Sequence, residues 1–502
     1  MENVLYYGDN LNILREYIKD ESVDLIYLDP PFNSNQNYNV IFDEEDGSSS
    51  NAQIQVFTDT WHWNKISEDL LRDISENENT PSKVIELLEG LEIFLGKNQL
   101  YTYLVMMAPR LLELYRVLKP SGSIYLHCDP TASHYLKLLM DAIFDIKYFQ
   151  REIIWSIETS SGFKSRANNW IRGHDSILFY SKKEISIFNK QFFDLSEKTI
   201  KRYDKVDENG KRFKIYYDKD RLERKVYLDT SKGRPMTDVW SDIIGFQTVN
   251  NTGEYLNYPT QKPESLLERI IKASSNEGNI VLDPFCGCGT TITVAEKLKR
   301  KWIGIDITHL AIALMKSRLN DAFGNKVKYK IAGEPADLSG AHALAQQDRF
   351  QFEWWALSLI KARPIDNKKK GADHGIDGVI YLDITPSLEK RTSIKIVVQV
   401  KSGHVSVKDI KEFRTTIDNS KSKMGIFITL NEPTSPMVKE CLEAGLYKPN
   451  IIGARDCPVV QILTIEELLN NKREAQLPIH DNRTFKRAER IEDDPEEQDE
   501  LF

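Results

Sequence analysis

Residues 280–291 read Ile280-Val281-Leu282-Asp283-Pro284-Phe285-Cys286-Gly287-Cys288-Gly289-Thr290-Thr291. A short apolar run enters a Gly-x-Gly turn, and the residues after it, Thr290 to Leu298, have helical spacing. Without a Cβ, Gly287 and Gly289 let the backbone approach a ligand closely and adopt φ > 0 where needed. The helix beginning near Thr290 offers free N–H groups to an anionic group such as a carboxylate. Trp302–Asp306 reads as the next strand, ending on an acid 17 residues after Gly289, placed to accept hydrogen bonds from ribose hydroxyls. A lone Gly-x-Gly also serves ordinary tight turns. The order strand, Gly-x-Gly, helix, strand, acid points to a nucleoside-containing cofactor. Cys286 and Cys288 lack the second Cys or His pair of a four-ligand metal site and read as small packing residues.

Outward from this turn, apolar strand-like runs alternate with amphipathic helical ones, the signature of an α/β protein. Val23–Leu28 is a short apolar run. Tyr101–Leu118 has helical spacing and stops at Lys119-Pro120-Ser121-Gly122, a turn feeding the strand Ser123–His127. Ser133–Phe144 reads as a helix, 151–157 and 176–181 as strands, and Leu266–Ala273 as a helix. Residues 43–100 read as a long insertion, polar at first and helical around Lys83–Phe94. Around Gly333–Gly340 the pattern lapses into Gly, Pro and Asp. A second αβ unit follows: helix Arg349–Lys361, strands 376–384 and 394–400, helix 407–419 and strand 424–429.

The Val23–Leu28 run ends on Asp29-Pro30-Pro31-Phe32. Each proline fixes φ and lacks an N–H, so the loop is stiff, and its carbonyls are free to accept from a ligand. An acid acceptor, a free carbonyl and a ring suit a flat amine-bearing heterocycle such as a nucleobase. A rigid turn with its Phe anchored in the core is the alternative for the bare tetrapeptide.

The chain has 502 residues, 67 Lys+Arg, 75 Asp+Glu and a net charge of −8. Its composition, 41% hydrophobic and 28% charged, is that of an ordinary soluble globular protein of more than one domain. No apolar run approaches the roughly 18 residues of a spanning helix. Met1-Glu2-Asn3 leads straight into patterned sequence, so no secretory signal is expected. Five cysteines are few and odd in number, which suits a reducing cytoplasm. An acidic balance weighs against a nucleic-acid partner until the charges are located. Residues 492–502 hold seven carboxylates and no base, and without them the charge is −8 + 7 = −1; such a block reads as a disordered tail. Residues 198–234 hold 13 Lys+Arg and 7 Asp+Glu, a local +6. Tyr203, Phe213, Tyr216, Tyr217 and Tyr227 are interleaved there, a pattern that fits either DNA contact or a solvated insertion.

In the second unit Asp377 and Gln399 are separated by 21 residues, Lys401 follows, and Glu353 sits on the preceding helix. Asp377 and Glu353 have the hard oxygen donors of a divalent-cation site, with Gln399 and the Val400 carbonyl beside them. Lys401 is placed to orient or deprotonate a water attacking a phosphodiester. For an isolated Asp…Gln-x-Lys, plain surface charge on strand ends is the competing reading. His374 reads as a loop residue.

Asp29-Pro-Pro-Phe32 early and Asp283-Pro-Phe-Cys-Gly-Cys-Gly289 late resemble the amino-methyltransferases of DNA, in the circularly permuted order of their β group. The resemblance spans about residues 4–322. It implies a Rossmann-like S-adenosylmethionine-dependent methyltransferase domain over 1–330, with a target-recognition region at 183–257. Gly8-Asp9-Asn10 is similar to the family's element near the cofactor's adenine, and Pro259-Thr260-Gln261-Lys262-Pro263 to the motif at its methionine end. The resemblance thus implies cofactor contacts from Asp9, Asn10, Thr260, Lys262, Asp283, Phe285, Gly287, Gly289, Thr290 and Asp306. It implies methyl transfer by Asp29, Pro30, Pro31 and Phe32, onto a base flipped out of double-stranded DNA. Asp rather than Ser at 29 favours adenine N6 over cytosine N4. The second unit, 346–480 after a linker at 331–345, resembles the Mrr-like branch of the PD-(D/E)xK nucleases, which often carries Gln at the position of Gln399. That implies a smaller α/β endonuclease domain, with Glu353, Asp377, Gln399 and Lys401 as catalytic residues. Its Mg²⁺ would be held by Asp377, Gln399 and Val400, and residues 481–502 would form the acidic tail. The expected whole is a single-chain restriction–modification enzyme. The alternatives are a methyltransferase whose nuclease-like domain only binds DNA, and a modification-sensing nuclease. No Gly-x-x-x-x-Gly-Lys-Ser/Thr loop occurs in the chain. A homodimer and an additional restriction subunit are left open as partners.

Overall fold

The computed structural model describes residues 2–31, 61–157, 168–184, 186–217, 222–246, 254, 256, 260–364, 375–383, 393–449, 454–470 and 472–478. Phe32, Pro259, His374 and the acidic tail lie outside the described residues.

The first half runs β1 (Asn3–Tyr7), α1 (Asn10–Tyr17), β2 (Val23–Leu28), α2 (Lys65–Glu76), α3 (Ser82–Leu95), α4 (Gln99–Val117), β3 (Leu118–Cys128), α5 (Pro130–Phe144), β4 (Phe149–Ser156) and β5 (His174–Ser181). Short elements follow: β6 (Phe192–Phe193), α6 (Glu197–Ile200), β7 (Lys205–Val206), β8 (Arg212–Tyr217), β9 (Glu223–Tyr227), β10 (Arg234–Pro235) and β11 (Val239–Trp240). Then come α7 (Glu264–Ser274), β12 (Ile280–Asp283), α8 (Thr290–Lys297), β13 (Lys301–Asp306), α9 (His309–Phe323) and β14 (Tyr329–Ala332). Nine strands form one sheet in the order β11-β4-β5-β3-β2-β12-β13-β1-β14. From β3 to β14 every pairing is parallel; β5 runs antiparallel to β3 and to β4.

Strand β2 is buried along its whole length, because a parallel sheet is covered on both faces. Ile26 and Leu28 enter one core with α4 and α5, while Leu25 and Tyr27 enter the other with α7, α8 and α9. The period-2 alternation of a strand divides them this way. The expected turn at Lys119–Gly122 lies inside β3 as an irregularity: partners step from Val23↔Leu118 to Leu25↔Ser123. Helix α2 occupies part of the insertion that reads as polar.

The stretch expected as a linker, 331–345, is ordered instead. It holds the end of β14 and most of α10 (Leu338–Gln347), which is capped by Asp337. Ala341 and Leu344 are buried in the core of the second unit. Gly333–Gly340 carries turn residues because a strand ends and a helix is capped there. The rest comprises α11 (Arg349–Leu359), β15 (Arg363–Pro364), β16 (Gly378–Asp383), β17 (Ser393–Lys401), α12 (Val407–Asn419), β18 (Met424–Thr429), α13 (Ser435–Glu443), β19 (Leu446–Tyr447), β20 (Cys457–Pro458), β21 (Val460–Thr464) and α14 (Ile465–Leu469). Its five-stranded sheet has the order β15-β16-β17-β18-β21, with Phe352 and Trp355 packed on one face and Phe413 and Met437 on the other.

Within the basic stretch β7, β8 and β9 make a small antiparallel sheet. Its aromatics serve two purposes. Tyr203 and Phe213 are buried and carry Lys214 and Lys225 over their rings at 4.6 and 5.0 Å. Tyr216 and Tyr217 are exposed. The interleaving therefore partly reflects a miniature core. Among the described residues no helix is long and apolar enough to cross a membrane, and all five cysteines are free and buried.

Candidate active sites

From β2 the chain continues outward to β3, and from β12 it continues the opposite way to β13. Strands β2 and β12, some 250 residues apart in sequence, are neighbours, with Leu25↔Val281 and Ile26↔Leu282 in register. The C-terminal ends of parallel strands at such a reversal leave a crevice. A cleft opens there, lined by Asp29 and Pro31 after β2, the turn from Asp283 to Cys288 after β12, and Asp306–Thr308 after β13.

The glycine turn is held tightly. Gly287 and Gly289 have φ of +49° and +77°. A Cβ on Gly289 would lie 2.6 Å from Met315 Cγ, so this position needs glycine for space as well as conformation. Gly287 N donates to Asp306 Oδ2 at 2.9 Å, and Thr308 donates to Asp306 Oδ1 from both its N and its hydroxyl. Asp283 Oδ1 accepts from Phe285 N at 3.0 Å, and its Oδ2 accepts from the Thr291 hydroxyl. Burial is the largest influence on both acids, pushing Asp283 up to about 7 and Asp306 up to about 6. Asp283 thus builds the turn as well as lining the cleft. Cys286 is buried, its Sγ donating to Ile305 O.

Several expected contacts are arranged differently. Asp9 caps α1 through Leu11 N and pairs with buried Arg110 at 2.9 Å. It is Gly8 and Asn10 that line the cleft. Asn10 Nδ2 donates to Pro284 O at 2.8 Å and its Oδ1 accepts from Arg110 Nε at 2.7 Å, tying the two turns together. The Thr290 hydroxyl accepts from Arg318 at 3.0 Å. Lys262 forms an ion pair with Asp29. This contact joins a residue expected at the cofactor's methionine end to one expected to act in methyl transfer, and no local pattern announces it.

Beneath Asp29, Tyr27 Oη lies 2.9 Å from His127 Nδ1, and His127 Nε2 lies 3.2 Å from Asp175 Oδ2. Burial, reinforced by the Lys262 charge, pushes His127 down to about 3, so its ring is neutral. This chain went unread in the sequence. Tyr27 does share a strand face with Asp29, and that alternation was the available signal.

In the second unit Asp377 precedes β16, its N donating to Val398 O and its Oδ2 accepting from Val400 N at 2.7 Å. Gln399 is nearly buried, and a Cβ on Gly375 (φ +70°) would approach its Nε2 to 2.5 Å. Helix α11 brings Glu353 into the same charge environment. Burial, then the Asp377 charge, pushes Glu353 up to about 8 against Arg349 and Lys401. Burial also pushes Asp377 up to about 6. Glu353, Asp377 and Lys401 are therefore brought together. Among the described residues no three His, Cys, Asp or Glu side chains form a metal cluster; two carboxylates, an amide and a backbone carbonyl are what the site offers.

A Rossmann-like sheet with a cleft at its switch point is the frame on which S-adenosylmethionine-dependent methyltransferases, among other α/β proteins, build their sites. The family described as DNA methylase, N6- and N4-directed, matches residues 23–317, and the chain belongs to it. The family described as restriction endonuclease, the Mrr catalytic domain, matches residues 344–447. The chain is a DNA methyltransferase joined to a restriction-endonuclease-like domain. It is similar to the type II methyltransferase M.HpaI of Haemophilus parainfluenzae, 30% identical over 256 residues that cover 50% of this chain and 71% of that one. It is 28% identical to the type II methyltransferase M2.LlaDCHI of Lactococcus lactis subsp. cremoris, over 63% of this chain and 89% of the relative. To the DNA adenine methyltransferase YhdJ of Escherichia coli (strain K12) it is 29% identical, over 63% and 83%.

Proposed function

We propose that the first domain methylates adenine N6 in double-stranded DNA, and that the second cuts DNA with Mg²⁺, in one restriction–modification enzyme. The observation that carries the methylation reading is the placement of Asp29, at the C-terminal end of β2, across the cleft floor from the glycine turn after β12.

S-Adenosylmethionine, bound along that turn, would supply an electrophilic methyl group. Asp306, Gly8 and the Gly287 backbone would hold its adenosine end, and Thr260 and Lys262 its methionine end. Asp29 and the Pro30 carbonyl would accept hydrogen bonds from the target amine. They would orient its nitrogen lone pair towards the methyl group and offset the positive charge that develops on nitrogen. Lys262 holds the Asp29 carboxylate, and neutral His127 supports Tyr27 below it. The likeness to relatives that include an adenine methyltransferase, together with Asp at position 29, favours adenine over cytosine.

The second site suits a hard divalent cation. Burial pushes both Glu353 and Asp377 up, and the Asp377 charge adds to the rise at Glu353, a conflict that a cation resolves, and every donor is oxygen. Lys401 would orient the attacking water. Incubation of unmodified DNA with the protein, S-adenosylmethionine and Mg²⁺, followed by base-resolved methylation and end mapping, tests both halves. N6-methyladenine at one sequence and defined ends near it are expected. N4-methylcytosine would overturn the base assignment. Absence of cutting on unmethylated, methylated and foreign-modified DNA would leave the second domain as a DNA-binding module.

A further inference from the structure

The cleft has a wall that the methyltransferase domain does not make. Asp348 and Gln351, both beyond the last strand of the nine-stranded sheet, line it with Tyr7, Gly8 and Asp306–Thr308. This is the Asp306 end of the cleft. Gln351 is 5% exposed, and its Oε1 accepts from Tyr7 Oη at 3.4 Å. Tyr7 stacks on buried His309 with ring centroids 3.6 Å apart. Asp348 caps α11, its Oδ1 accepting from Phe350 N and Gln351 N at 2.9 and 3.0 Å, and α11 packs against α9. The wall therefore rests on fixed elements. A carboxamide both donates and accepts, which matches the adjacent acceptor and amino group on an adenine edge.

Two residues on, the same helix carries Glu353. Residues two apart on a helix are rotated by about 200°, so Gln351 faces the methyltransferase cleft while Glu353 serves the nuclease site.

We propose that Gln351 of the endonuclease-like domain is a positioning residue for the adenosine end of the cofactor, so that bound cofactor braces the helix that carries Glu353. The inference rests on the methyltransferase cleft binding S-adenosylmethionine, as proposed above. It makes the cleft a joint product of both domains, and gives the nuclease site a mechanical link to cofactor occupancy.

The test uses the full chain and two variants. Gln351→Met keeps the volume and loses the amide; Gln351→Ala shows whether packing matters separately. Kd for S-adenosylmethionine and S-adenosylhomocysteine is measured by calorimetry, and kcat and KM by methyl transfer to unmodified DNA. For Gln351→Met, Kd and KM for S-adenosylmethionine are expected to rise about five- to tenfold, with kcat at saturation held. Hydrogen exchange of residues 349–359 should slow when S-adenosylhomocysteine binds the wild-type chain. An unchanged Kd in Gln351→Met, or unaltered exchange in the wild type, overturns the inference while the cleft assignment stands. Failure of the wild type to bind either compound at all would instead sink the cleft assignment.

Discussion

The two sites solve one problem in different ways. Each gathers acids at strand ends, joined in the second domain by one from a helix, and in each burial pushes those acids up: Asp283 and Asp306 in the cleft, Asp377 and the helix residue Glu353 in the second domain. In the cleft the opposing groups are short and fixed, namely the N–H of Phe285, Gly287 and Thr308 and the hydroxyls of Thr291 and Thr308. In the second site Val400 N is one fixed donor, and the other opposing groups are the long cations Arg349 and Lys401. A cleft wired by its own backbone is shaped before its ligand arrives. A pair of acids balanced by flexible cations leaves charge for an external cation to supply.

The sharpest way to break this contrast is at Asp29. Asp29→Ala should lower methyl transfer by about 10³-fold or more and leave cutting intact, as read from radiolabelled methyl incorporation beside end mapping. Near-normal transfer would remove Asp29 from the mechanism. Lys401→Ala is the mirror experiment. It should reduce Mg²⁺-dependent cleavage by about 10²–10⁴-fold with methylation unchanged, and equal loss of both activities would mean the sites are not chemically separate.

Smaller effects sharpen the comparison. Gly289→Ala forces a Cβ at φ +77° against Met315 and should cost about 1–2 kcal/mol in denaturant unfolding. Gly375→Ala meets only the end of the Gln399 side chain, so its smaller stability loss should come with a shifted Mg²⁺ requirement. The pH dependence is the gentlest probe. Folding raises Glu353 from 4.5 to about 8 and Asp377 from 3.8 to about 6. The folded second domain therefore binds more protons than the unfolded chain in that window. The stability this confers is full below about pH 4 and is lost as pH rises through about 6 and then 8. Without metal, the melting temperature of that domain should fall across this range, and Glu353→Gln should recover a few degrees at pH 8 and none at pH 4. Mg²⁺ should offset the fall. A flat profile would mean that the acids are already compensated.

Much of this was legible in the chain. The turn at 283–289, the strands either side of it and the acid at Asp306 follow from local pattern, because glycine, proline and strand-end acids constrain only their neighbours. The stretch 331–345, expected as a linker, holds a strand end and most of a helix: Gly333, Pro335 and Asp337 end one element and cap the next, and a local pattern does not separate such residues from a tether. Tyr203 and Phe213 stand in a stretch whose pattern fits either DNA contact or a solvated insertion, and their burial was not legible because it depends on partners from other strands.

The sequence by itself determined the two α/β units, the order of their motifs and which acids stand at the strand ends, since these rest on periodicity and turn residues. Only the tertiary structure decided which strand ends meet. It set β2 beside β12 across some 250 residues, paired Lys262 with Asp29, and laid Gln351 of one domain into the cleft of the other. Such contacts are made between surfaces that the backbone brings together late, and no spacing along the chain encodes them.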